Sequence, residues 1–369
     1  MNLKTINEAS AIKNIPSTTI REWLDNPDVR LEKYTNEKGI ICVDLDQLSR
    51  LETNVLTLYN KKGGASKTTE AIMLAYYYSM KKQKVLVIDF DSQETISKYF
   101  LGRNFVYNLK SLESNSFDNV LLKLDDEDKK FMLDNYEKDG KEYILKKEIS
   151  EEDKEVVIAI LEEQEFDIPL NETLYDFFIN PKKQISKICK KVDENIDILP
   201  ARDSFDHFDK IKLPEFHDYI EPLRKFFSKY SVVVIDCPPA LNNFSQLGLM
   251  LADYIIVPFM PTALIYEGTI SMLEGLFKLL NYCKYLKGWK ILCTNITKQN
   301  IKVQKKYMDA VKREAEGNVF EKYIPKYVVI ENMPEEKNNI FEKYQHDNKI
   351  SEIREALDEL DEYIYKIKD

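Results

Sequence analysis

One ten-residue stretch constrains this chain more than any other: Asn60-Lys61-Lys62-Gly63-Gly64-Ala65-Ser66-Lys67-Thr68-Thr69. The apolar run Val55-Leu56-Thr57-Leu58-Tyr59 before it reads as a strand, and Glu70 to Tyr78 after it reads as a helix. Strand, glycine-bearing loop, Lys-Thr and helix form the order that a phosphate-binding loop requires. Two adjacent glycines let the backbone curl until successive N–H groups converge on an anion. The new helix adds its positive end and its unpaired N–H groups. In such a loop Lys67 reaches the terminal phosphates of a nucleotide and the Thr68 hydroxyl holds Mg²⁺. Lys61 and Ser66 stand where the common pattern G-x-x-x-x-G-K-[ST] has glycines, which puts backbone strain at Ser66. The bland alternative is a Gly-Gly turn with an incidental Lys-Thr.

Two later runs bear on that choice. Lys84-Val85-Leu86-Val87-Ile88-Asp89-Phe90-Asp91-Ser92-Gln93 and Tyr230-Ser231-Val232-Val233-Val234-Ile235-Asp236-Cys237-Pro238-Pro239 are apolar runs that end in acids. Such runs read as buried parallel strands. Carboxylates at their C-terminal ends lie on the ligand-binding edge of an open α/β sheet. Asp236 there can hold the hydration shell of Mg²⁺. Further strands are expected at Ile196 to Leu199, Leu251 to Pro258 and Trp289 to Asn295. The fold class expected is α/β, a mostly parallel sheet flanked by helices.

The loop Lys62-Gly63-Gly64-Ala65-Ser66-Lys67-Thr68, with a lysine near its start and another at its end, resembles the deviant Walker A motif of the ParA/MinD superfamily of ATPases. Asp-Phe-Asp-Ser-Gln is similar to that superfamily's D-x-D-x-Q signature, and Asp236-Cys237-Pro238-Pro239 to its Walker B element. Ile196 to Arg202 and the late Val319-Phe320 to Ile324-Pro325 resemble two further family elements. Ser66 matches the long plasmid-type ParA proteins, which carry an extra N-terminal DNA-binding domain. The resemblance implies a Mg²⁺- and ATP-dependent ATPase that partitions DNA. Residues 62–69 (Lys62, Gly63, Gly64, Ala65, Ser66, Lys67, Thr68 and Thr69) would bind nucleotide, with Asn295 at the adenine. Asp91 would orient the attacking water. Lys62 would reach across an ATP-bound homodimer to the partner's phosphates, cancelling charge much as an arginine finger does. A ParB-type centromere-binding protein would stimulate hydrolysis.

Residues 1–52 read as a separate unit. Thr5 to Ile12 is a short helix, Asn14-Ile15-Pro16 a turn, and Ser17 the N-cap of a second helix through Leu24. Val29 to Tyr34 and Ile40 to Val43 flank a polar loop ending at Gly39, a hairpin pattern. The order is that of a winged helix-turn-helix and looks like a MerR-type DNA-reading module. Ser17, Thr18, Thr19 and Arg21 would face DNA, Ile20 and Trp23 would pack inward, and Lys38 would tip the wing. A helical docking unit is the competing reading. Residues 53–369 form the ATPase domain, interrupted at 102–171 by an acidic, mainly helical insertion. Ile301–Glu314 is amphipathic, with Val303, Tyr307, Ala310 and Val311 on one face. Lys302, Lys305, Lys306 and Arg313 form a basic face that could track DNA phosphates without sequence preference.

Composition narrows the partners. The net charge is −10, with 53 basic and 63 acidic residues, which argues against coating DNA by bulk charge but permits a local basic patch. Five scattered cysteines without CxxC spacing, and only three histidines, argue against zinc or iron–sulfur chemistry. Reduced thiols and the lack of a membrane-length apolar run point to a soluble, cytoplasmic protein without a membrane partner; the resemblance to ParA implies that it is nucleoid-associated. The acidic Ser351–Asp369 helix differs from the basic membrane-seeking helix that ends MinD-like relatives. The long plasmid-type resemblance implies that the N-terminal unit also binds an operator and autorepresses the operon; a nucleotide-sensing transcriptional repressor with little ATP turnover is the alternative reading.

Overall fold

The computed structural model describes residues 3–13, 17–25, 31–49, 52–146, 149–166, 170–202, 216–331 and 339–365. The chain opens with β1 (Leu3–Thr5), helices Ile6–Lys13 and Ser17–Asp25, β2 (Tyr34–Thr35), β3 (Ile41–Asp44) and helix Leu45–Ser49. The strands form an antiparallel sheet in the order β1-β3-β2. Ile6, Ala9, Ile20, Val43 and Leu48 bury their side chains in a small core of their own. Thr5 closes β1 and caps the first helix rather than beginning it. Its N–H and hydroxyl both donate to the Glu8 carboxylate, at 2.9 and 2.8 Å, and the Glu8 N–H donates back to the Thr5 hydroxyl. This reciprocal capping satisfies donors that a helix start leaves open. At the hairpin, Asn36 accepts from the backbone of Lys38 and Ile40, and Gly39 takes a φ of +75°. The turn assigned to Asn14-Ile15-Pro16, and residues Val29 and Arg30, lie outside the described residues, as do the side chains of Thr19 and Trp23.

The large domain is built on β4 (Asn54–Leu58), β5 (Val85–Asp89), β9 (Lys190–Lys191), β10 (Ile196–Leu199), β11 (Val232–Asp236), β12 (Tyr254–Phe259) and β13 (Gly288–Cys293). These seven strands lie in the order β13-β12-β4-β11-β5-β10-β9. Every pair is parallel except β10–β9. Every residue of β4, β5, β11 and β12 is buried, as unbroken apolar strands covered on both faces must be. Alternate residues serve opposite faces. Val55, Leu86 and Ile88 enter one core, and Leu56, Leu58, Val85 and Val87 the other. Helices His217–Phe227, Asn243–Leu251 and Ala263–Leu280 cover the first face, and helices Lys67–Met80 and Asn348–Tyr365 the second. The final helix thus spends its apolar side (Ile353, Leu357, Leu360) on the protein's own core. Lys81 ties it down through a 2.8 Å ion pair to Asp361.

The segment between helix Thr95–Leu101 and helix Leu174–Ile179 differs from a purely helical insertion. Helices Ser114–Lys123, Asp126–Asn135 and Glu151–Glu163 are joined by β6 (Ser111–Glu113), β7 (Tyr136–Asp139) and β8 (Glu142–Leu145), an antiparallel sheet ordered β6-β8-β7. The cause is local. Gly140-Lys141 makes the two-residue hairpin turn between Asp139 and Glu142, which pair in the ladder, and Gly140 takes a φ of +59°. Phe117, Tyr136, Tyr143 and Leu161 fill a core separate from the main sheet.

Candidate nucleotide site

The parallel register brings the ends of three strands level. Asp236 on β11 pairs with Leu58 of β4 on one side and with Asp89 of β5 on the other. The 60–69 loop therefore begins beside two carboxylates, at the point where the chain's crossovers leave β4 flanked by β11 and β12. Asn60 anchors the loop. Its side-chain amide donates to the Pro258 carbonyl (2.8 Å) and the Thr269 hydroxyl (3.1 Å), while its oxygen accepts from the Lys62 N–H (3.1 Å). Gly64 has a φ of +72°, and Ser66, directly before helix Lys67–Met80, lies at φ 66°, ψ 18°. Ser66 thus adopts the left-handed conformation that a glycine would take without strain, at a cost of about 1–2 kcal/mol.

Lys67 is buried, and its ammonium donates to the Lys62 carbonyl at 3.4 Å. Burial lowers its pKa, and the negative charge of Asp236 opposes that shift. The Thr68 hydroxyl donates to Asp236 Oδ2 at 2.6 Å. Asp236 Oδ1 is buried with no hydrogen-bond partner among the described residues. Burial pushes the Asp236 carboxyl up to about 7 despite the Thr68 bond and Lys67. Asp89 is pushed up to about 8, by burial first and by Asp236 second. It accepts from the N–H and hydroxyl of Ser97 (2.9 and 2.6 Å) and from the Asp91 N–H (3.0 Å). Asp91 is half-buried and accepts from the Gln93 N–H. Two acids held above their usual range around a hydroxyl and an unpartnered oxygen form a site short of positive charge. A hydrated Mg²⁺ ion fits that donor set, with Thr68 as ligand and Asp236 Oδ1 as acceptor for its water.

Residues 62–69 all fall in this one loop and helix start, with Ala65 and Lys67 buried and Gly63 and Gly64 exposed. Asn295, in a left-handed conformation at φ 58°, follows β13 at the same edge, and its amide donates to Met260 Sδ at 3.4 Å. In the N-terminal unit Thr18 and Arg21 are exposed, Ser17 is half-exposed and Ile20 is buried. Lys302, Lys305, Lys306 and Arg313 are all exposed on helix Ile301–Glu314. The buried face of that helix is rotated from the expected one. Val303 is 61% exposed, and Gln304 lies inside, accepting from the Thr297 N–H and donating to the Asn295 carbonyl. Two backbone groups needing partners outweigh one valine.

Sequence reasoning missed Asn60, Ser97, Gly268 and Thr269. Asn60 was within reach of it, because an asparagine opening a glycine loop commonly bonds backbone two residues on. Gly268 carries no local signal. A Cβ there would lie 2.1 Å from Lys62 Cε and 2.3 Å from Cγ, so the Lys62 stem crosses this glycine.

A curled loop with a buried lysine, a Thr–Asp pair and a parallel sheet edge define a P-loop nucleotide-hydrolysing enzyme. The comparisons with known proteins refine the class. The model of the AAA_31 family, described as an AAA domain, matches residues 53–287, more than half of the chain, and the chain belongs to that family. It is a P-loop ATPase, and its relatives include ParA family proteins. The uncharacterized protein MJECL24 of Methanocaldococcus jannaschii is 23% identical over 315 residues, covering 84% of this chain and 97% of that protein. The virulence plasmid ParA family protein pGP5-D of Chlamydia psittaci is 24% identical over 185 residues, covering 48% and 68%. Among solved structures, apo McdA of Cyanothece superposes with a TM-score of 0.57 at 16% identity, over 83% of this chain and 99% of that one. A putative plasmid partition protein of Borrelia burgdorferi, bound to AMPPNP, does so at 0.55 and 19% identity, over 84% and 98%. At these identities the structural matches establish the fold. Among the described residues no helix is long and apolar enough to cross a membrane.

Proposed function

We propose that this ATPase partitions DNA, most simply a plasmid, through an ATP-dependent homodimer that binds DNA without sequence preference. The observation that carries the proposal is the second lysine of the loop. Lys67 is committed to the buried phosphate side, whereas Lys62 is half-exposed and its stem lies along Gly268 on a neighbouring helix. A lysine placed there is free to act on a partner's nucleotide. The names of relatives, a ParA family protein and a plasmid partition protein, support the same reading.

The residues divide the work as follows. Bound Mg²⁺ would supply positive charge to the phosphates, and Thr68 and Asp236 would hold its coordination sphere. Lys67 and the N–H groups of 63–69 bind phosphate oxygens, and Asn295 borders the base. Asp91, tethered to Asp89 through its own N–H, orients water. Lys62 of one protomer stabilises charge on the other's phosphates. The exposed lysines of Ile301–Glu314 track DNA, and the 1–52 unit, as a winged helix-turn-helix, reads an operator through Ser17, Thr18, Thr19 and Arg21. A ParB-type protein stimulates turnover, and the complex resides on the nucleoid.

Retention on nonspecific DNA at one salt concentration, with MgATP, with MgADP and without nucleotide, tests the reading, because phosphate-driven binding varies steeply with salt. Retention confined to MgATP, and lost in the Lys305→Glu/Lys306→Glu variant, is the expected result. Sequence-selective retention that ignores ATP would instead identify a repressor with little turnover.

A further inference from the structure

A recess of about 740 Å³ lies away from the 60–69 loop, between the insertion and the sheet edge carried by β9. One part of its wall is apolar, with Leu101, Phe105, Leu109 and Ile149. The rest is cationic. Lys110 comes from the insertion, and Lys190 and Lys191 come from β9. None of these three ammonium groups has an ion pair or hydrogen-bond acceptor among the described residues. Lys154 also lines the recess but is paired with Glu151 at 2.7 Å, and the acidic Glu172 is paired with Lys183 at 2.9 Å. The side-chain nitrogen of Asn104, another wall residue, is buried without a partner. A chain of net charge −10 therefore lines one recess with three lysines that have no partner among the described residues.

Those features select a ligand. Several lysines from two elements suit a phosphate, which lysine binds as a point charge. A phosphomonoester carries a charge of about −1.5 to −2 near neutral pH, enough to engage more than one of them. The apolar wall has no use for a bare anion and suits an organic body. A volume of 740 Å³ falls in the range of small-molecule sites, about 300–1,000 Å³. We propose that the recess binds a nucleoside monophosphate or a phosphomonoester of similar size, as a second ligand site distinct from the P-loop. Two wall residues, Leu101 and Pro200, adjoin the hydrogen-bonded chain from the Ala201 N–H through the Ser97 hydroxyl to Asp89, so the site abuts the support of the catalytic edge. The proposal stands independently of the role in DNA partition.

The test is calorimetric titration of the full chain carrying Lys67→Ala, which removes phosphate binding at the P-loop, with AMP, GMP and inorganic phosphate at fixed salt. Saturable binding of a nucleoside monophosphate, stronger than that of inorganic phosphate, is expected. Adding Lys190→Ala/Lys191→Ala should weaken it about tenfold or more, since each charge-assisted contact carries on that order. Lys110→Glu, which reverses a charge at the recess, gives a second reading without touching β9. No binding of either monophosphate, equal binding of inorganic phosphate, or affinity unchanged in both variants would overturn the proposal.

Discussion

Asp236→Asn offers the sharpest test of the site's electrostatics, because the structure requires opposite effects on stability and on ligand binding. Asp236 is fully buried, and its carboxyl is pushed from an ordinary 3.8 up to about 7. At about 1.36 kcal/mol per unit, holding it ionised in the nucleotide-free fold costs about 4 kcal/mol. That value already includes the Thr68 bond and Lys67; asparagine keeps an acceptor for the Thr68 hydroxyl but sets an amide donor in a buried place, at a cost of about 2 kcal/mol, so a net gain of about 2 kcal/mol is expected at neutral pH. The sign follows from proton binding. The folded chain holds the Asp236 proton more tightly than the unfolded chain. The stability this contributes is present at low pH and is lost as pH rises toward the folded value near 7. The variant lacks that loss. Its advantage in thermal unfolding should therefore grow by about 2 kcal/mol between pH about 5.5 and 7, then level off. With MgADP the order reverses. A ligand at a hundredfold excess over its Kd stabilises by about 2.7 kcal/mol, and only the parent chain should draw that benefit from Mg²⁺. Differential scanning calorimetry at several pH values, with and without MgADP, reads both effects. A variant less stable at every pH, or one that gains as much from MgADP as the parent, would refute the reasoning.

Lys67→Ala should lose ATP binding in equilibrium titration, because no other lysine in the loop is buried at the phosphate side; unchanged affinity would sink the P-loop assignment. Gly268→Ala places a methyl within 2.1 Å of Lys62 Cε, so the lysine stem must leave its path. Steady-state turnover should fall in this variant as in Lys62→Ala, while nucleotide affinity changes little; equal turnover in all three proteins would remove Lys62 from catalysis. Ser97→Ala strips Asp89 of its hydroxyl donor and leaves the Ala201 N–H without an acceptor, which should cost about 2 kcal/mol in urea unfolding. A loss below about 0.5 kcal/mol would show that water or relaxation replaces the bridge.

The parts of the site legible in the sequence are those in which one residue type meets one physical demand. Buried parallel strands must be apolar throughout, and an acid can appear only where such a strand ends. Hence Asp89 and Asp236 could both be assigned to the sheet's ligand-binding edge from the sequence, and the register shows them level. The loop's glycines and Lys-Thr are legible for the same reason. What could not be read depends on contacts distant in sequence. Gly268 matters because Lys62, more than 200 residues earlier, lies across it, and Thr269 because Asn60 reaches it. Gln304 took the inner face of its helix because the loop after β13 left two backbone groups to satisfy. The insertion's sheet is a different failure. The glycine of its Gly140-Lys141 turn is a short local signal, set within acidic sequence whose helical spacing pointed to helices.

Ser66 shows how far a departure from pattern can be reconciled with physics. The P-loop pattern asks for glycine at this place because the backbone must enter the left-handed region, and Ser66 enters it at φ 66°. The side chain does not cap the helix it precedes. Its strain is therefore uncompensated by any side-chain cap hydrogen bond, and backbone and neighbouring anchors must hold it. They are present: the Ser66 carbonyl accepts from the Glu70 N–H at 2.9 Å, and at the other end of the loop Asn60 makes three hydrogen bonds. A strained conformation persists where the structure over-determines it, and such places cluster at ligand clamps. The serine thus trades backbone ease for a loop with fewer accessible shapes than glycine would allow. A loop so restricted meets a phosphate with less entropy left to lose.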